Sequence, residues 1–273
     1  MTLLAARLRD IRHVALDMDG TVYRGRVMFD WTHPFLDRLD RLGIGYSFLT
    51  NNSSRSTQDH IEHLHGTGIR IAADQIITSA LPTLHYLREE HPDVQRLFVL
   101  GTESLVREIV EHGFDVVDDH PEAVVVGFDD GLTHERLSRA AYWITRGLPY
   151  VATHPDRICP TDQPTVLIDC GAICACLESA TGIAPEAVLG KPDPRMLLIV
   201  LERHGLTPAS LALVGDRIYT DIEMAHRAGA FGVLVLSGEA TRADAEASSA
   251  AIDLVVPSLK EFGEELERAR QRG

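Results

Sequence analysis

Apolar positions along the chain fall into short runs that alternate with helical stripes. Val14-Ala15-Leu16 is a run of strand length, and the stretch 31–42 carries Phe35, Leu36, Leu39 and Leu42 at helical spacing before Gly43 stops it. Positions 44–49 predict a second strand, followed by a helix through Leu64; positions 76–79 predict a third, followed by a helix over 80–90. Near Arg96 the alternation restarts: strands at 97–100, 116–117, 123–126 and 150–152, with helices over 103–112 and from Thr133 to Arg146. The second helix shows Leu137, Ala140, Ala141 and Ile144 as its stripe. Val166-Leu167-Ile168 then leads into a helix holding Leu177. After residue 184 come Val188-Leu189, a helix over 195–204 with Pro194 in its first turn, and strands at 211–214, 231–236 and 254–256. Helices follow Thr241 and Ser258, and residues 1–12 form a short amphipathic lead-in.

Strands alternating with helices at this spacing predict an α/β fold: a doubly wound, mostly parallel, Rossmann-like sheet. The middle block repeats the alternation and carries nothing resembling a second D-x-D. It reads as a second α/β domain inserted into the first, with the core over 1–80 and 184–273 and the insert over 81–183.

The polar residues that end the strands carry the chemistry. Asp17 and Asp19 follow the first strand with one residue between them, and Gly20-Thr21 turn the chain. In an extended backbone both carboxylates face one side and Met18 the other. Two carboxylates so close repel unless a cation sits between them, and Mg²⁺ is the hard, oxygen-seeking cation that suits them. Asp17 then serves as a nucleophile toward phosphorus, and Asp19 as the acid that protonates a leaving alkoxide and later the base that activates water. The same D-x-D-G reads equally as a strand closed by an Asx-turn. Thr50-Asn51-Asn52 ends the second strand, offering a hydroxyl, an amide and a helix start; as an ordinary reading it is an N-cap. Lys191 stands between Gly190 and Pro192, where a rigid loop fixes one positive charge against a phosphate; taken alone, the pattern reads rather as an exposed turn lysine. Gly215-Asp216 ends another buried run, with Asp221 five residues on; Asp216 is placed to coordinate a metal, and Asp221 to bind its waters, orient Lys191 or favour a helix dipole.

Composition narrows the class. The chain has 273 residues, enough for two domains, with 45% hydrophobic content and a net charge of −14. That charge argues against a nucleic-acid or anionic-membrane surface. No apolar run reaches membrane-spanning length, and Arg7 interrupts the only apolar start, so the expected compartment is the cytoplasm. Cys170, Cys174 and Cys176 lack a usual zinc spacing and read as buried small thiols.

Four clusters thus stand in order: D-M-D-G-T at 17–21, T-N-N at 50–52, G-K-P at 190–192 and G-D-R-I-Y-T-D at 215–221. The set resembles the four motifs of the haloacid dehalogenase superfamily in its phosphatase branch. The long insertion resembles the subclass IIA cap of NagD-like and p-nitrophenylphosphatase-like enzymes. T-H-P-D at 153–156 is similar to the A-T-N-P-D stretch of those caps, with His154 where Asn is common, and 169–172 falls where many members have a small-residue loop. The resemblance implies a Mg²⁺-dependent phosphatase of small phosphorylated metabolites, with Asp17 as nucleophile and Asp19 as acid and base. It implies a metal held by the Asp17 carboxylate, the Asp19 carbonyl and Asp216, with Asp221 behind them. Thr50, Asn51 and Lys191 would hold phosphoryl oxygens, and His154, Asp156, Arg157, Cys170 and Gly171 would face the leaving group. It also leaves pairing of two copies through the cap open. A phosphotransferase using the same intermediate, a phospho-accepting module and a non-catalytic binding protein are the competing readings.

Overall fold

The computed structural model describes residues 3–25, 27–159 and 164–271, so the first two positions of the expected lead-in lie outside the described residues. The chain opens with α1 (Leu3–Asp10), β1 (His13–Asp17), the hairpin of β2 (Tyr23–Arg24) and β3 (Val27–Met28), α2 (Thr32–Arg41) and β4 (Gly45–Thr50). Helix α3 (Thr57–Gly66) and β5 (Ile76–Thr78) follow. The middle runs α4 (Ala80–Glu90), β6 (Arg96–Leu100), α5 (Glu103–Glu111), β7 (Asp115–Val116), β8 (Ala123–Val126), α6 (His134–Thr145) and β9 (Tyr150–Ala152). A second hairpin, β10 (Ile158–Cys159) with β11 (Leu167–Ile168), precedes α7 (Cys170–Thr181) and β12 (Ala187–Val188). The last stretch is α8 (Arg195–His204), β13 (Leu211–Gly215), α9 (Glu223–Ala228), β14 (Phe231–Val235), α10 (Arg242–Ala247), β15 (Leu254–Val256) and α11 (Leu259–Gln271). The two hairpins escaped the sequence reading because their strands are only two residues long.

Packing divides the chain into two compact units. One comprises Met1–Leu49, Leu64–Ile77 and Pro192–Gly273; the other comprises Thr50–His63 and Thr78–Lys191.

The six-stranded sheet runs β15-β14-β13-β1-β4-β5, and β1 pairs in parallel with both β13 and β4. Its order reverses between β1 and β13, the place where an open α/β sheet leaves a crevice at the carboxyl ends of its strands. Val14, Ala15 and Leu16 are buried on both faces, which explains why β1 reads as a continuous apolar run rather than an alternation. Leu16 stands opposite Val214, so the two acid-bearing strand ends emerge side by side.

The second sheet runs β12-β9-β8-β6-β7, and each adjacent pair is parallel. Period-two alternation along β6 sends Leu97 and Val99 into one core with residues of α4 and α5, and Phe98 and Leu100 into another with residues of α6 and α7. Its order reverses between β6 and β8. The mouth of that reversal is filled by the chain itself. The Phe128 N–H donates to Ser53 Oγ at 2.9 Å, and Thr102 Oγ1 donates to the Ser54 carbonyl at 3.1 Å. Glu108, buried on α5, accepts from the Thr57 hydroxyl (2.6 Å), the Thr57 N–H (3.3 Å) and the Thr78 hydroxyl (3.0 Å). These bonds are why residues 50–63 group with the second unit, although a boundary near 80 assigned them to the first.

The three clustered cysteines do not share one environment, as their expected burial together required. Cys170 and Cys174 lie in the core beside α6, whereas Cys176, on the outer face of α7, is exposed.

Candidate active site

Asp17 is the last residue of β1, and Asp216 follows the last residue of β13. Asp221 lies in a π-helical turn, Ile218–Ile222, that leads into α9. One oxygen from each of these three carboxylates falls within 4.8 Å of the others. Thr21 Oγ1 donates to Asp17 Oδ2 at 3.1 Å. Asp216 is buried; its Oδ2 accepts from the Glu239 N–H at 2.7 Å, while its Oδ1 is buried without a hydrogen-bond partner among the described residues. Asp221 Oδ2 accepts from the Arg217 N–H at 3.1 Å. The turn after β1 is tight: Val22 N donates to the Met18 carbonyl at 2.8 Å and Gly20 N to the Tyr23 carbonyl at 2.7 Å.

Glycines shape this cluster. Gly20 has φ of +87°, a conformation that favours glycine, and a Cβ there would collide with the Asp216 carboxylate. A Cβ at Gly238 would collide with the same carboxylate, and one at Gly215 with that of Asp221. Burial raises the Asp216 pKa to about 7, and the neighbouring Asp17 and Asp221 charges push in the same direction. Burial raises that of Asp19 too, opposed by the bond from the Gly25 N–H and reinforced by Asp17. Arg217, ion-paired to Glu239 at 2.9 Å, stays cationic. A buried carboxylate oxygen without a partner, in a cluster of three carboxylates, is costly unless a cation joins it. The donor set is all hard oxygen, which fits Mg²⁺ rather than a thiol-seeking metal.

The remaining expected site residues belong to the second unit. Thr50 ends β4, one residue beyond Leu49, which pairs with Asp17. Its hydroxyl accepts from the Asn52 N–H at 3.1 Å and retains its own proton to donate. Asn51 Oδ1 accepts from the Lys191 N–H at 2.7 Å, and its Nδ2 donates to the Lys191 carbonyl (3.2 Å) and to Asp156 Oδ2 (3.1 Å). Lys191 is buried. The fold thus brings Asn51, Asp156 and Lys191 together from three distant stretches.

His154 is wholly buried and uses both ring nitrogens: Nε2 meets Asp169 Oδ1 at 2.9 Å and Nδ1 meets Thr153 Oγ1 at 2.8 Å. Asp169 caps α7, accepting from the Cys170 N–H at 2.6 Å. Gly171 donates its N–H to the Asp156 carbonyl at 2.8 Å, and a Cβ there would collide with the Pro155 carbonyl. Cys170 is buried, with its thiol donating to the Val126 carbonyl at 3.2 Å. Arg157 is exposed. His154 and Cys170 therefore brace the 153–157 loop from inside, while Asp156 and Arg157 lie nearer its surface.

Sequence reasoning missed Gly238 and Glu239, which hold Asp216 from the loop after β14. The available signal was a Ser-Gly pair at another strand end of the same sheet. It also missed Ser53 and Glu108, whose burial no local pattern announces.

Comparisons with known proteins bear on this geometry. Residues 14–115 match the family model of haloacid dehalogenase-like hydrolases, and residues 188–262 match a second model of the same kind. An acid sugar phosphatase of Staphylococcus aureus is 30% identical over 262 residues, covering 96% of this chain and all of the relative. The crystal structure of a 4-nitrophenylphosphatase from Thermotoga maritima superimposes with a TM-score of 0.90 at 35% identity, covering 94% of this chain and 98% of the other. A glycerol phosphate phosphatase from Mycobacterium tuberculosis, solved in complex with magnesium, gives a TM-score of 0.87 at 29% identity, covering 96% and 79%. With acids at the ends of β1 and β13 and relatives matched over nearly its whole length, the chain belongs to the haloacid dehalogenase-like hydrolases, in the branch of NagD-like and p-nitrophenylphosphatase-like proteins.

Proposed function

We propose that this hydrolase is a Mg²⁺-dependent phosphatase that cleaves small phosphomonoesters through an aspartyl-phosphate on Asp17. The observation that carries the reading is the Asp17, Asp216 and Asp221 cluster with its unpartnered Asp216 oxygen, set at the reversal of the first sheet. Asp17, the Asp19 carbonyl and Asp216 would hold the metal, with Asp221 bonded behind them. When bound, Mg²⁺ supplies charge neutralisation for the phosphoryl oxygens.

The chain's own residues account for the steps. Thr21 fixes one oxygen of Asp17, so the carboxylate approaches phosphorus in a set orientation. As the bond from Asp17 to phosphorus forms, the ester P–O bond breaks, and Asp19 gives its proton to the leaving alkoxide. Asp19 then takes a proton from water, the water oxygen attacks phosphorus, and the bond to Asp17 breaks to release phosphate. The Thr50 hydroxyl and the Lys191 ammonium hold the phosphoryl oxygens, and positioning plus charge supply most of the rate. The second unit serves as the cap, with Asp156 and Arg157 facing the leaving group. Its substrates are small phosphorylated metabolites, and the cytoplasm is the compartment in which it meets them.

The test is phosphate release from p-nitrophenyl phosphate, sugar phosphates and glycerol phosphate, with Mg²⁺, with EDTA and with Asp17→Asn. Turnover that EDTA stops and Asp17→Asn abolishes is expected. Absence of wild-type turnover on every ester, with metal present and the fold intact, overturns the reading. Transfer to added alcohols in preference to water would identify a phosphotransferase instead.

A further inference from the structure

We infer that the Asn51 side chain is a positioning residue that locks the backbone of Lys191 and ties it to Asp156, rather than a ligand of the phosphoryl group. The inference rests on the catalytic reading above for the role of Lys191, but its geometry stands independently. Asn51 accepts from the N–H and donates to the C=O of the same residue, Lys191, as a neighbouring strand would. The second amide hydrogen goes to Asp156 Oδ2. Both donors of the side chain are thereby committed to protein acceptors, and the oxygen faces a protein N–H.

The surrounding sequence is adapted to this contact. A Cβ at position 190 would stand 2.6 Å from Asn51 Oδ1, 2.7 Å from His154 Cβ and 2.7 Å from the Thr153 carbonyl. Only a glycine before the lysine lets the three segments close. The Asn51 carbonyl is held in turn by Ser79 Oγ at 3.0 Å. Asp156 is fixed from the opposite side, because its carbonyl accepts from Gly171 N and the next carbonyl, that of Arg157, accepts from Asp169 N. The start of α7, the 153–157 loop, Asn51 and Lys191 thus form one bonded chain. A backbone lock fixes the direction in which the buried Lys191 side chain leaves the chain.

The test uses the full chain and two readouts. The first is amide hydrogen exchange at Lys191, which needs no turnover. The second is kcat and KM on p-nitrophenyl phosphate with Mg²⁺. Asn51→Asp sets a carboxylate against that of Asp156 and against the Lys191 carbonyl. It should speed Lys191 exchange roughly tenfold and lower kcat by a similar factor. Adding Asp156→Asn restores a donor–acceptor pair and should recover most of the lost exchange protection at Lys191. Asn51→Ser, a smaller polar variant, should speed the same exchange, and melting temperatures confirm that each variant folds. Exchange at Lys191 indifferent to every Asn51 variant overturns the inference. So does a double variant whose Lys191 exchange stays as fast as that of Asn51→Asp, because the bond to Asp156 would then play no part in the lock. Failure of the catalytic reading shows differently, as a wild type that hydrolyses nothing while Lys191 exchange still follows Asn51.

Discussion

Gly20→Ala separates backbone strain from loss of site geometry. Position 20 has φ of +87°, so any Cβ carries a left-handed penalty of about 1 kcal/mol. A Cβ there would also stand 2.7 Å from Asp216 Cγ and 3.1 Å from Gly238 Cα. Carbon–carbon contacts sit near ~3.7 Å, so the Asp216 carboxylate must retreat by about 1 Å. A displacement of that size in a catalytic group costs on the order of 100-fold in rate. Gly43→Ala is the control, because φ is +64° and nothing lies within 4 Å of the added carbon. Gly43→Ala should lose about 1 kcal/mol in urea denaturation, and Gly20→Ala more, because its added carbon also meets Asp216 and Gly238. Only Gly20→Ala should also lose on the order of 100-fold in kcat/KM and need more Mg²⁺ for half-activation. A Gly20→Ala enzyme as active as Gly43→Ala would refute the claim that Gly20 exists to admit Asp216.

Two further outcomes follow from buried titratable groups. His13, buried with Nε2 at 2.8 Å from Ser47 Oγ and stacked on His204, has its pKa lowered to about 4, by burial first and by His204 second. The unfolded chain therefore binds the extra proton between pH 6.5 and about 4. The His13 contribution, about 3 kcal/mol, is present above pH 6.5 and lost as pH falls through that window; urea titrations of wild type and His13→Gln should converge toward pH 4, and a constant gap would contradict it. Glu108 has its pKa raised by burial against the bonds from Thr57 and Thr78 and the nearby His112. Its protonated form favours folding, so stability is fullest below its ordinary value of 4.5 and falls as pH rises through the folded pKa. Glu108→Gln should flatten the decline in melting temperature as pH rises above 4.5, and an unchanged slope would count against it.

The chemistry was legible where a strand end demands particular residues. Asp17 and Asp216 follow buried apolar runs, and parallel pairing of β1 with β13 sets such ends side by side. Lys191 was not legible from its Gly190 and Pro192 frame, which alone reads as an exposed turn, whereas the folded chain buries it. Long-range polar burial was not legible. Nothing local marks Ser53 and Ser54 for this place, and only the folded chain shows them filling the mouth between β6 and β8. Glu108 occupies a helix position that a hydropathy pattern assigns to solvent, yet it is buried because two threonines meet it. The π-helical turn that carries Asp221 has no residue signature, since one added backbone residue per turn leaves composition unchanged.

The grouping of residues 50–63 with the second unit has a consequence for modular exchange. The backbone passes from one unit to the other after Leu49, His63, Ile77 and Lys191. A graft that replaced 81–183 with an insert lacking an acid at position 108 would deprive Thr57 and Thr78 of their acceptor. Chimaeras built to transplant substrate preference must carry 50–63 with the donor's insert. Although separate in the sequence, 50–63 and the insert share one buried acid, so an exchange that cuts between them strands its partners.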